Sequence, residues 1–145
     1  MTGSTGKVSR VVDSSGWIEY FADGPNASFF GDAIQDAGSL VVPSITLYEV
    51  FKRLLREPDG ESLGLRVVAA MQRGDVVELD AEVALEAARV AHERRLPMAD
   101  SVILATAYQH GATVLTQDSD FEGLPGVEYV EKNRVADRAT DQETG

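Results

Sequence analysis

Val8-Ser9-Arg10-Val11-Val12-Asp13-Ser14-Ser15-Gly16 is the stretch on which the reading of the chain turns. Its first five residues are rich in β-branched side chains, which suit a pleated, half-buried surface. Ser14-Ser15-Gly16 then opens an amphipathic segment with Trp17, Ile18 and Phe21 on one face, the spacing of a short helix over 15–21. Asp13 therefore stands at the junction of a strand and a helix. The same arrangement recurs downstream, where the apolar run Ala112-Thr113-Val114-Leu115-Thr116 is followed two residues later by Asp118.

Between these two junctions, apolar runs alternate with segments of helical period. Strands are predicted at 8–12, 40–42, 76–79, 112–116 and 127–130, and helices at 15–21, 27–37, 44–57, 61–72, 81–95 and 97–111. Asp23-Gly24-Pro25-Asn26 and Pro58-Asp59-Gly60 punctuate the pattern as turns. Asp80 is a natural N-cap, and Pro97 suits the first position of a helix. Helices of this length cannot be hairpin connections, so the strands pair in parallel with helices on both faces. The expected fold is α/β, a three-layer α/β/α sandwich around a mainly parallel central sheet. Residues 1–7 read as a flexible N-terminal tail and 8–131 as the folded domain. From Lys132 to Gly145 the chain is polar and aperiodic, and is expected to be disordered.

Composition narrows the chemistry. The chain has 145 residues, no cysteine and two histidines, which excludes thiolate zinc and makes an imidazole-rich site improbable. Any metal must then be held by oxygen, which favours Mg²⁺ or Mn²⁺. Apolar runs fall far short of the ~20 residues of a membrane span, and the N-terminus lacks signal-peptide regions, so a cytoplasmic protein with no membrane role is expected. Thirteen basic against 24 acidic residues give a net charge of −11, which argues against tight nonspecific nucleic-acid binding. A cation among clustered acids reverses that local field. Two basic groups, Lys52-Arg53 with Arg56, and Arg89 with Arg94-Arg95, run against the general sign.

The candidate residues are the acids at strand ends and helix starts. Each has a plain structural role available. Asp13 could cap the next helix, Thr46 to Glu49 matches a capping box, Asp100 lies in a first turn after Pro97, and Asp118 and Asp120 suit a turn. Taken together, Asp13, Glu49, Asp100 and Asp118 all fall on the carboxyl edge of a parallel sheet, where ligands of such folds bind. Converging carboxylates repel one another unless a cation binds among them, so the joint pattern predicts a divalent-metal pocket.

These motifs resemble those of PIN-domain ribonucleases, and specifically VapC-type toxins of type II toxin–antitoxin pairs. Val11-Val12-Asp13-Ser14-Ser15 is similar to the family's opening, and Pro43-Ser44-Ile45-Thr46-Leu47-Tyr48-Glu49-Val50 to the helix carrying its second acid. Leu96 to Ala107, with Asp100, resembles the helix of the third acid, and Val114-Leu115-Thr116-Gln117-Asp118-Ser119-Asp120-Phe121 the terminal element. The likeness runs in order from about residue 8 to 130. Ser101 departs from it, standing where many relatives carry a larger or apolar residue.

The resemblance implies a Mg²⁺- or Mn²⁺-dependent endoribonuclease that hydrolyses RNA, forms a homodimer and is inhibited by a cognate antitoxin. By position, Asp13, Glu49, Asp100 and Asp118 become the catalytic, metal-binding acids. Asp13 and Asp100 are the direct ligands, Asp118 and Asp120 hold a second metal or position water, and Ser14, Ser15 and Thr116 support them by hydrogen bonds. A haloacid-dehalogenase phosphatase would need an acid where Ser15 stands, and a receiver domain a lysine in the interval from Lys52 to Lys132, which has none. A noncatalytic PIN scaffold that only binds protein would have a broken acid set, and this set is intact.

Overall fold

A computed structural model describes residues 8–132. The expected tail over 1–7, and all but Lys132 of the expected tail over 132–145, lie outside the described residues. Five short strands, β1 (Arg10–Val12), β2 (Val41–Pro43), β3 (Asp75–Val77), β4 (Thr113–Thr116) and β5 (Val127–Tyr129), all pair in parallel. β1, β4 and β5 form one ladder and β2 and β3 another. A parallel bridge from Arg10 to Leu40 joins them, so the order across the sheet is β3-β2-β1-β4-β5. Six helices connect the strands: α1 (Ser14–Phe21), α2 (Ala27–Gln35), α3 (Ser44–Leu54), α4 (Gly60–Met71), α5 (Ala81–Arg94) and α6 (Met98–Gln109).

The two-residue period of a strand divides the core. Val12, Val42 and Leu115 face one side, where Trp17, Phe30, Val50, Leu54, Val67 and Met71 from α1 to α4 cover them. Val11, Val41 and Val114 face the other, under Ile103, Leu104 and Ala107 of α6 and Val90 of α5. This is the three-layer arrangement expected. α6 is buried all round from Ser101 to Ala107 because the sheet lies on one side of it and Val83 and Ala87 of α5 on another. Gly111, at φ +60°, lets the chain turn back from α6 into β4.

Several boundaries differ from the sequence reading. The helix expected over 44–57 ends at Leu54, since Arg56 and Glu57 bond back only three residues, to Arg53 and Leu54, and Pro58 has no N–H to continue. Pro97 caps α6 from outside rather than starting it. The helix expected over 27–37 stops at Gln35 and gives way to a 3-10 turn, Ala37–Ser39. Strand ends retreat as well: Val8, Ser9, Glu78, Leu79, Ala112 and Val130 stand outside the ladders, and Leu40 forms a bridge with Arg10 and accepts from the Asp75 N–H at 2.9 Å without joining a strand.

Gly16 is a packing requirement close to the junction of β1 and α1. A Cβ there would lie 2.6 Å from Val12 Cγ1 and 2.7 Å from the Phe30 ring, both fully packed. Gly16→Ala should therefore lower stability by about 1–3 kcal/mol through overpacking, read as a drop in the thermal midpoint. A midpoint equal to wild type would mean that α1 moves away from β1 at no cost.

Candidate active site

β1 and β4 are neighbours, yet the chain leaves β1 toward β2 on one side and reaches β4 only after α6. The strand order reverses between them, and a crevice opens outside their carboxyl ends. Asp13 directly follows β1 and Asp118 follows β4 by two residues. Glu49 comes from the second turn of α3, which leaves β2, and Asp100 from the first turn of α6. Asp120 sits in a 3-10 turn over Ser119–Phe121.

Asp13 is held on all sides. It is buried, accepts from the Gly16 N–H at 3.1 Å, and accepts hydroxyl bonds from Ser15 at 2.9 Å and Thr116 at 2.9 Å. The capping role and the site position thus coincide in one residue. Thr116 also accepts from the Asp118 N–H at 2.9 Å, so a single threonine ties together the acids beyond the two central strands. Ser14 donates to Glu49 at 3.0 Å, bridging α1 and α3. The capping box considered for Thr46 and Glu49 does not form. α3 begins at Ser44, which leaves Thr46 inside the helix with a buried hydroxyl that has no partner among the described residues.

One carboxylate oxygen from each of Asp100, Asp118 and Asp120 lies within 4.8 Å of the other two. Asp13 and Glu49 stand outside this trio but within its field, since the Asp118 charge raises the pKa of both. Burial pushes Asp100 up to about 7, with further upward contributions from Asp118, Glu49, Asp13 and Asp120. Those terms outweigh the favourable field of the α6 N-terminus. Burial also pushes Asp13 up to about 6 against the opposing hydrogen bonds of Thr116, Ser15 and Gly16. Glu49 is raised by burial, relieved in part by Ser14 and Lys52.

The donor set suits a hard divalent cation: all oxygen, several carboxylates within reach of one point, and mutual repulsion that a positive ion would relieve. Asp80, by contrast, is spent on α5, whose Val83 N–H it bonds at 2.9 Å. Sequence reading did not find the polar clamp beside the site. Asn26 Nδ2 donates to Gln117 Oε1 at 2.9 Å and to the Glu131 carbonyl at 3.2 Å, while Glu19 accepts from the Asn26 N–H at 2.7 Å. The clamp holds Gln117, and with it the backbone entering Asp118. Its only local signal is a glutamine between Thr116 and Asp118 that is buried in a loop.

A cavity of about 420 Å³ adjoins the acids, and its lining includes Ser14, Ser15, Glu19, Glu49 and Gln117 together with Tyr48, Lys52, Arg53, Arg56 and Lys132. A second, more apolar groove of about 270 Å³ lies next to it, bounded by Trp17, Ile18, Phe21, Leu54, Leu63 and Val67. No helix among the described residues is long and apolar enough to cross a membrane.

Comparison with known proteins gives a consistent result. The PIN domain family model matches residues 10–127. Ribonuclease VapC4 of Mycobacterium tuberculosis is 48% identical over 40 residues, which are 28% of this chain and 31% of that protein. Among solved structures, a toxin–antitoxin complex from Klebsiella pneumoniae superposes with a TM-score of 0.70 at 24% identity, covering 83% of this chain and 96% of that one. The Mycobacterium tuberculosis toxin VapC20, described as cleaving the sarcin–ricin loop, gives 0.68 at 19% identity, with 83% and 98% covered. DNA-bound VapBC from Salmonella typhimurium gives 0.65 at 18% identity, with 88% and 100% covered.

Proposed function

Because the chain belongs to the PIN domain family, we propose that it is a Mg²⁺- or Mn²⁺-dependent endoribonuclease acting as the toxin of a toxin–antitoxin pair. The observation that carries this reading is the convergence of Asp13, Glu49, Asp100, Asp118 and Asp120 on the crevice between β1 and β4, with Asp118 the neighbour that Asp13, Glu49 and Asp100 share.

Asp100, Asp118 and Asp120 would hold the cation, with Asp13 and Glu49 completing the negative shell. A divalent cation held there would supply Lewis-acid polarisation of a phosphodiester and a water of lowered pKa, so that a hydroxide nucleophile is available near neutral pH. The chain's own residues supply the frame. Asp13 cannot rotate, since three donors hold it, and Thr116 fixes the backbone of Asp118 at the same distance from it. Asp120 is set by its N–H, which donates to Asp118 at 2.9 Å. The Asp100 side chain has no hydrogen bond among the described residues, and its raised pKa leaves it part-protonated near neutrality, so holding a cation would require it to lose that proton. No histidine base is needed. The direct test is cleavage of a single-stranded or looped RNA by the purified chain with Mg²⁺ or Mn²⁺, against the same reaction in EDTA. Equal cleavage in EDTA overturns the reading.

The partner reading rests on the apolar groove. On α3 and α4, Met71 is fully buried and Phe51 packs over Gly64, while Tyr48, Leu55 and Leu65 are exposed. The more continuous apolar surface is the groove between α1 and the α3–α4 pair, and Phe21, 43% exposed, lies on it. An amphipathic antitoxin helix fits that groove, with a basic side chain of the antitoxin reaching the neighbouring acids. The VapBC and Klebsiella pneumoniae structures are complexes of such pairs. Co-expression with the adjacent reading frame should give an inactive complex. Phe21→Asp should weaken it at least tenfold while the melting profile stays cooperative. A complex of unchanged affinity would mean that the antitoxin covers another surface.

A further inference from the structure

The pocket beside the acids has a charge opposite to that of the chain. Its lining carries four cations, Lys52, Arg53, Arg56 and Lys132, against two acids, Glu19 and Glu49. Both acids are already engaged: Glu49 accepts from Ser14, and Glu19 from Asn26 and Gln117. In a chain of net charge −11 such a local excess is not a sample of the average surface. The field of the α3 C-terminus accounts for Lys52 and Arg53 in the last turn. It does not account for Lys132, which comes from beyond β5 and lines the same pocket.

An aromatic ring completes the surface. Tyr48 is 61% exposed on the pocket's rim, with the Lys52 ammonium 5.5 Å from its centroid. A cation over one face of an exposed ring is a combination by which proteins hold a nucleotide of a single strand, the base stacked on the ring and the phosphate on the cations. Glu49 and Lys52 are three residues apart on α3, about 4.5 Å along its axis. The cations thus begin where the acid site ends, and Ser14 and Ser15, which bond to Glu49 and Asp13, line the same pocket. Arg53 is partly committed to Glu57, at 3.2 Å, whereas Arg56 and Lys132 make no ion pair among the described residues.

We propose that this pocket is a nucleotide subsite for single-stranded RNA, in which Arg56 and Lys132 take a phosphate next to the scissile one and Tyr48 stacks on the attached base. The proposal deepens the nuclease reading and rests on it. It also gives the route by which an acidic protein engages a polyanion: a short basic pocket beside a cation site, with no general basic face.

The test uses full-length protein carrying Asp100→Asn, to prevent cleavage, and a fluorescent single-stranded oligoribonucleotide. Adding Arg56→Gln with Lys132→Gln should weaken binding on the order of tenfold and reduce the salt slope by about 1. Tyr48→Ala should weaken it at least about five-fold with the salt slope unchanged, since stacking releases no counterions. Arg89→Gln with Arg94→Gln removes the same charge from α5, on the opposite layer, and should leave binding as it was. Equal losses from both charge pairs, or none from the pocket variants, would overturn the subsite. So would pocket variants that bind RNA normally but lose the antitoxin, which would assign the pocket to the protein partner. These failures are separable from failure of the nuclease reading, in which the wild-type chain itself would not cleave RNA with added Mg²⁺ or Mn²⁺.

Discussion

Asp100→Asn should lower metal-dependent RNA cleavage by at least about 100-fold, the scale of losing one charged stabilising group at a reacting centre. The substitution keeps the side chain's size and its position in the first turn of α6, and Asp100 makes no hydrogen bond among the described residues that the amide would break. What it removes is one of three carboxylates whose oxygens lie within 4.8 Å of each other. Asp13→Asn should be equally silent for a different reason. An amide there can accept at only one of its two positions, so either Thr116, on Oδ2, or the Gly16 N–H, on Oδ1, loses its acceptor, and with Thr116 the anchor of the Asp118 backbone loosens. The two variants separate in stability: Asp13→Asn should melt lower than wild type, having lost buried charge-assisted bonds, and Asp100→Asn should not. Undiminished cleavage by either variant would sink the assignment.

Much of this site was legible in the sequence because its acids occupy positions that a parallel α/β sheet brings to one edge. Asp13 after a β-branched run and Asp118 after another needed only the order of strands to be neighbours, and β1 and β4 do pair. The hydroxyl residues entered through the family resemblance alone; in the fold Ser15 lies two residues from Asp13, and Thr116 follows Leu115, the partner of Val12. Glu49 was harder, since Thr46 offered it a local role, and only the start of α3 at Ser44 removes that role. What could not be read was contact between distant loops. The Asn26 to Gln117 bond spans 91 residues and depends on where the 24–26 turn falls against the end of β4. Phe51 falls at helical spacing on α3, and its ring packs into the space that Gly64 leaves on α4. Periodicity reports that a face is buried and not which neighbour buries it.

The metal-free protein should lose stability as pH rises from about 4 to 8, and a divalent cation should restore it. Three acids carry the sign. Burial raises Asp100 to about 7 and Asp13 to about 6, and raises Glu49 as well. An acid whose pKa is higher folded than unfolded binds more protons in the native state throughout the interval between the two values. Stability then falls with pH across that interval. The contribution is fully present below the ordinary carboxylate range and is lost as pH rises through about 6 for Asp13 and about 7 for Asp100. Cations bind the deprotonated set, so their stabilisation grows over the same window. At a cation concentration 100 times Kd it reaches about 2.7 kcal/mol, or roughly 5–10 °C in the thermal midpoint of a chain this size. Melting in EDTA from pH 5 to 8, repeated with Mn²⁺, checks both halves. Asp100→Asn supplies the internal control, because it deletes the carboxyl pushed up to about 7 and relieves its neighbours while leaving the remaining surface charge in place. Its midpoint in EDTA should fall less steeply with pH and should equal or exceed wild type at pH 8, the relief of repulsion outweighing a lost helix-dipole contribution of up to ~1 kcal/mol. The gain on adding Mn²⁺ should shrink in the same variant. A wild-type midpoint in EDTA that stays level or rises between pH 5 and 8 would mean that these carboxylates are already ionised without strain, and that their convergence does not need a cation to resolve it.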